Sequence, residues 1–116
     1  MTVEFKASTT FKNEIPVINI SGEITSEAEG ELLSCYKDIP EKKKGRVILE
    51  FSNTKYINSA GIAVLINLIN RAAEKNYDIE FVGLNQHFRM VMDIVGLSDF
   101  VTIHEELADA LNLGKI

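Results

Sequence analysis

Cysteine occurs once in this chain and histidine twice, and a surplus of basic charge is missing altogether. Each shortage closes off a class of function. A lone Cys35 cannot form an internal disulfide, which fits a reducing compartment and an expected cytoplasmic location. It reads as a small apolar packing residue of a helix rather than as a reactive thiol. Neither His87 nor His104 has a Cys, His or Asp at metal-ligand spacing, so both read as surface histidines and no metal site is expected. Gly45, Gly61, Gly83 and Gly96 stand alone, so there is no Gly-rich phosphate cradle and no Walker loop. Gly-x-Ser-x-Gly is absent as well, and Ser59 has no evident base partner. Neither an enzyme nor a cofactor is expected. The net charge of -5 withholds the basic face that a nucleic-acid binder needs. Lys42-Lys43-Lys44, the one basic run, lies between Pro40 and Gly45 and reads as a solvated loop. No apolar stretch reaches the ~18–20 residues of a membrane span. Met1-Thr2-Val3-Glu4-Phe5-Lys6 lacks the basic and apolar regions of a signal peptide.

What is present is ordinary globular material. With 46% hydrophobic and 25% charged residues, 116 residues are enough for one domain over 1–116 with a single core. Val3 to Ala7 alternates weakly and reads as an edge strand, followed by a polar turn at Lys12-Asn13-Glu14. Ile15 to Ile20 reads as a second strand, paired with the first as a hairpin and ended by Ser21-Gly22; Pro16 is tolerable near its start. A helix is expected from about Glu27, with Ser26 as N-cap and Glu29 in capping-box position, burying Ala28, Leu32, Cys35 and Ile39.

The centre of the chain is more informative. Val47 to Phe51 is an almost unbroken apolar run of strand length, as in a strand buried on both faces. Past the turn Tyr56-Ile57-Asn58-Ser59-Ala60-Gly61, apolar residues recur at the spacing of an amphipathic helix, which Asn58 or Ser59 can cap. Asn76 marks its end. Ile79, Phe81 and Val82 give another strand stopped by Gly83. Asn85 can cap a helix bearing Phe88, Val91, Met92 and Val95, which ends at Gly96. Phe100 to Ile103 reads as a last strand, and Thr102 with Glu105 as a capping box for a final helix bearing Leu107, Ala110 and Leu111. After the hairpin, strands and helices alternate, which calls for parallel βαβ units.

Ser59 admits two readings. One is a helix cap worth about 1 kcal/mol. The other is an exposed hydroxyl open to phosphorylation on a surface that docks another protein. Projecting the helix with Ile62, Leu65, Ile66, Ile69 and Ala73 toward the sheet leaves Ala60, Ala63, Val64, Asn67 and Arg71 outside. The start of that arc is small and apolar, with Gly61 at its flank, and suits close approach by a partner. The docking reading requires Ser59, Ala60 and Val64 to be exposed. It predicts that Val64→Glu leaves stability almost unchanged, and that Ile66→Ala costs about 2–5 kcal/mol.

Arg46-Val47-Ile48-Leu49-Glu50-Phe51-Ser52, followed by Tyr56-Ile57-Asn58-Ser59-Ala60-Gly61-Ile62-Ala63-Val64-Leu65, resembles the core of the STAS domain. More narrowly it resembles bacterial anti-sigma factor antagonists of the SpoIIAA and RsbV type. Ser21-Gly22-Glu23-Ile24 is similar to the family's Gly-x-Ile/Leu-Asp turn, and Val82-Gly83-Leu84 and Val95-Gly96-Leu97 to further steps in it. The resemblance implies an α/β fold: a STAS-like mixed sheet, with an N-terminal hairpin and then parallel βαβ units, covered by about four helices. It also implies an unphosphorylated antagonist that binds an anti-sigma factor serine kinase and so frees a sigma factor. The kinase ends the complex by phosphorylating the serine of an Asp-Ser-Ser/Thr-Gly motif, and a PP2C-type phosphatase resets it. Ser59 matches the phosphoacceptor and Gly61 the motif glycine. Ile57, Asn58, Ala60, Gly61, Ala63, Val64 and Asn67, with Glu23 and Thr25 of the neighbouring turn, are the partner-binding residues so implied. The family's aspartates are replaced by Asn58 in the motif and Thr25 in the turn, and Ala60 follows the serine. A second expectation keeps the fold without the switch, as a non-phosphorylated STAS adaptor subunit of a larger signalling or lipid-transport assembly.

Overall fold

The computed structural model describes residues 4–40 and 45–112, so Val3 and the run Lys42-Lys43-Lys44 lie outside the described residues. The first strand, β1 (Lys6–Lys12), runs further along the chain than the alternation at Val3 to Ala7 suggests. Threonine and phenylalanine at Thr9-Thr10-Phe11 favour extended backbone and carry it on. Asn13 and Glu14, both with positive φ, turn the chain into β2 (Ile15–Ile24), which pairs antiparallel with β1. Ser21-Gly22 does not end β2. Gly22, at φ 87°, lies within irregularities of the register against the next strand, so the glycine bends the strand instead of stopping it.

The third strand, β3 (Gly45–Ile57), is much longer than its apolar run and pairs parallel with β2 on one side. On its other side lies β4 (Tyr77–Val82), followed by the short β5 (Thr102–His104), both parallel. The sheet order is therefore β1-β2-β3-β4-β5. Helices α1 (Ala28–Lys37), α2 (Ser59–Glu74) and α3 (Gln86–Val95) join successive parallel strands. Crossovers of one hand between neighbouring strands put all three on the same face. There they bury Ile18, Ile20, Val47, Leu49, Phe51, Ile79 and Phe81. The alternate residues Val17, Ile48 and Val82 face the other way, where α4 (Leu107–Asn112) covers them with Ala110.

Two expected caps are absent. Glu27, not Ser26, precedes α1 and makes no side-chain cap bond; the Thr25 hydroxyl accepts from the Glu27 N–H instead, at 3.3 Å. Thr102 is held in the β5 ladder opposite Glu80, so it cannot cap α4, which starts five residues later at Leu107. Phe100 is exposed beside a 3-10 turn over Leu97–Asp99 and is not part of β5. Asn85 does cap α3, accepting from the Phe88 N–H at 2.7 Å, and left-handed Gly96 ends it.

Candidate functional site

The C-terminal ends of β2 and β3 meet at the start of α2. The Ile24 carbonyl accepts from the Asn58 N–H at 3.2 Å, and Glu23 and Ile24 lie in register with Tyr56 and Ile57. Glu23 and Thr25 are therefore brought beside the Asn58-Ser59 turn, both half-buried. Asn58 is the cap of α2: its Oδ1 accepts from the Gly61 N–H at 2.8 Å and its carbonyl from the Ile62 N–H at 2.9 Å. That leaves Ser59 as the first residue of the helix, exposed, with Ala60 exposed beside it. No acidic residue stands in the first turn.

The face that α2 turns outward differs from the one projected from the sequence. Gly61, Val64, Leu65, Leu68 and Ala72 are buried against the sheet. Val64 is 5% exposed, whereas Ile66, assigned to the core, is 39% exposed. Ala73, also assigned to the core, is exposed, and Ile62 and Ile69 are only half-buried at the flank. The helix is turned by about one residue, or roughly 100° at 3.6 residues per turn. Gly61 explains the turn. A Cβ on it would overlap the Ile24 carbonyl oxygen and lie 2.7 Å from the Ile24 carbonyl carbon and 2.9 Å from Ile57 Cγ1. The glycine is thus the point of closest approach between helix and sheet, and its side of the helix must face inward. Val64, Gly61 and the 8%-exposed Ile57 are core residues and cannot form a docking face. The patch as drawn from the sequence is lost with Val64. In its place Ser59, Ala63, Ile66 and Asn70 line up on the exposed side at i, i+4, i+7 and i+11. Exposed Ala60 and half-buried Asn67 flank that stripe, and Tyr56 is half exposed just before the turn.

Residues 6–110 match the STAS domain family. The chain belongs to the STAS domain family. No curated protein matches the sequence. Among solved structures, the domain resembles an anti-sigma factor antagonist from Mycobacterium paratuberculosis, at 17% identity and a TM-score of 0.73, over 97% of this chain and 96% of that one. It resembles unphosphorylated SpoIIAA, an anti-sigma factor antagonist, at 12% identity and a TM-score of 0.65, over 92% of this chain and 93% of that one. It also resembles the murine anion transporter Slc26a9, at 12% identity and a TM-score of 0.79, where 98% of this chain corresponds to 23% of that protein.

Elsewhere in this STAS domain the residue chemistry is sparse. Cys35 is buried, and burial pushes its thiol up, so it is held as an inert packing residue. Among the described residues no group of three or more His, Cys, Asp or Glu is placed to hold a metal, and no helix is long and apolar enough to cross a membrane. His87 is exposed, as expected. His104 is not: its side chain is nearly covered and its Nε2 lies 2.8 Å from Glu80 Oε1. Glu80 in turn pairs with Arg46 on β3. The signal for this cluster was a glutamate set between the apolar Ile79 and Phe81 of a strand, where an ionised side chain needs partners.

Proposed function

We propose that this STAS domain is an anti-sigma factor antagonist, acting in the cytoplasm on an anti-sigma factor that is also a serine kinase. Docking frees the sigma factor, and phosphorylation of Ser59 ends the docking. The observation that carries this reading is the position of Ser59: an exposed hydroxyl at the head of an exposed stripe that continues through Ala63 and Ile66. Small and apolar side chains there let another protein approach closely, and a solvated helix face would instead carry Lys or Glu. A phosphate on Ser59 adds roughly -1.5 to -2 charges. The helix N-terminus, free of acidic side chains in its first turn, favours an anion, so the fold persists. The cost falls on the complex, where a dianion meets an apolar contact. A loss of ~4 kcal/mol there weakens binding about a thousandfold. A PP2C-type phosphatase would restore the docking form.

A second reading, the non-phosphorylated adaptor of a larger signalling or lipid-transport assembly, is favoured by Asn58. Its Oδ1 is committed to the Gly61 N–H and it carries no charge beside the acceptor. The transporter likeness shows that this fold also occurs as one part of a longer protein. Incubation with the anti-sigma factor kinase and Mg-ATP, followed by intact-mass and peptide mass spectrometry, separates the two. One phosphate on Ser59, lost in Ser59→Ala, supports the switch. An unmodified but tightly bound domain supports the adaptor, and neither binding nor modification overturns both.

A further inference from the structure

On the sheet face away from α1, α2 and α3, three titratable side chains from neighbouring strands meet beside α4. Glu80 of β4 is 5% exposed. Arg46 of β3 donates from Nε to Glu80 Oε2 and from Nη2 to Oε1, the latter at 2.8 Å. His104 of β5 shares Oε1 at 2.8 Å. The same Arg46 Nη2 donates to the Ala110 carbonyl of α4, also at 2.8 Å. Among the described residues α4 spans six positions, with no basic residue in its last turn. Arg46 therefore supplies, from another element, the cation that a helix C-terminus favours. A helix this short does not hold itself together in water. Among the described residues, its apolar attachments are Ala110 and the half-buried Leu107 and Leu111, packed on Val17, Ile48 and Val82.

We propose that α4 is a releasable strap across the second face of the sheet, fastened by the charge on Glu80, which holds Arg46 in place under the Ala110 carbonyl. Among the described residues, the groups facing Glu80 are Arg46 from β3 and His104 from β5, while α4 presents the Ala110 carbonyl to Arg46. Asp78, two residues earlier on β4 and opposite Arg46 in register, is exposed, as are Glu106 and Asp109 at α4. A protonated carboxyl keeps one good acceptor oxygen and gains a hydroxyl, so it no longer matches the two-pronged guanidinium. Arg46, whose side chain is already 26% exposed, then turns to solvent and α4 loses its tether. Release bares Val17, Ile48 and Val82, all now at 1% exposure or less. Burial pushes the Glu80 carboxyl up, but the hydrogen bonds from Arg46 and His104 and their charges outweigh it and hold the carboxyl below its ordinary value. The strap is therefore fastened at neutral pH and opens only in acid.

Amide hydrogen exchange on the whole chain tests this, comparing wild type with Glu80→Gln at neutral pH. The Asp109 and Ala110 amides, which donate to the Glu106 carbonyl, should lose protection at least tenfold while the Val47 to Phe51 amides of β3 keep theirs. Unchanged α4 protection, or loss at α4 and β3 together, would overturn the strap. If Glu80→Gln does not fold, the wild-type chain taken stepwise into acid decides, with rates corrected for intrinsic exchange. Exchange at α4 ahead of β3 supports the strap, and simultaneous loss overturns it.

Discussion

The two sides of α2 both carry branched apolar side chains, yet they do opposite things. One side, Gly61, Val64, Leu65, Leu68 and Ala72, disappears into the sheet. The other, Ser59, Ala63, Ile66 and Asn70, stays in solvent although it carries an isoleucine that hydrophobicity alone would place in the core. Hydrophobic content alone therefore does not fix the rotation, since Ile62, Leu65, Ile66, Ile69 and Ala73 make as apolar a set one residue further round. The choice falls to Gly61, because only a residue without a Cβ fits against the Ile24 carbonyl. The lesson is that a glycine near a helix start fixes the rotation of the helix and so decides which residues are left for a partner.

That contrast can be broken at several points. Val64→Glu places an unpaired charge in the core and should cost ~3–5 kcal/mol, read as a fall in the urea midpoint. A stability close to wild type would restore the projection made from periodicity. Gly61→Ala should cost about 1–3 kcal/mol by the same measurement, since the added methyl forces helix and sheet apart. Asn58→Ala removes the cap and should cost ~1 kcal/mol in thermal unfolding. Ile66→Ala should change stability by no more than about 0.5 kcal/mol, the reverse of the expectation from the sequence, because the side chain is already exposed. Its effect should appear in partner affinity instead.

The opposite face of the sheet makes a separate prediction about pH. Glu80 in the folded domain titrates below its ordinary value. Its contribution to stability is therefore complete above the unfolded carboxylate's pKa of about 4.3 and is lost as pH falls through the lower folded value. Unfolding followed from neutral pH into acid should show a shallower acid loss in Glu80→Gln than in wild type. Equal slopes would mean that the Arg46 and His104 contacts do not bias the carboxyl.

Much of the fold was legible because its signals are local. The apolar run at Val47 to Phe51, a cap at Asn58 or Ser59, the cap Asn85 and the terminating Gly96 each announce an element within a few residues. The alternation of strands and helices then fixed a parallel sheet behind a hairpin. Less legible were features that depend on residues distant in sequence. The length of β3 is set by pairing with β2 past its apolar run, and Gly22 bends β2 because its partner strand continues. The rotation of α2 depends on Ile24, nearly forty residues before Gly61. His104 looked like a surface residue because Glu80, its partner, lies on another strand. The position of Ser59 was legible; the face it heads was not.

In the proposed function, Ser59 heads the surface on which the partner docks. Isothermal titration of the anti-sigma factor kinase into wild type and Ser59→Glu tests it most directly. Affinity should be about a thousandfold weaker for Ser59→Glu, or ~4 kcal/mol, with its unfolding midpoint retained. Equal affinity for the two proteins would contradict it.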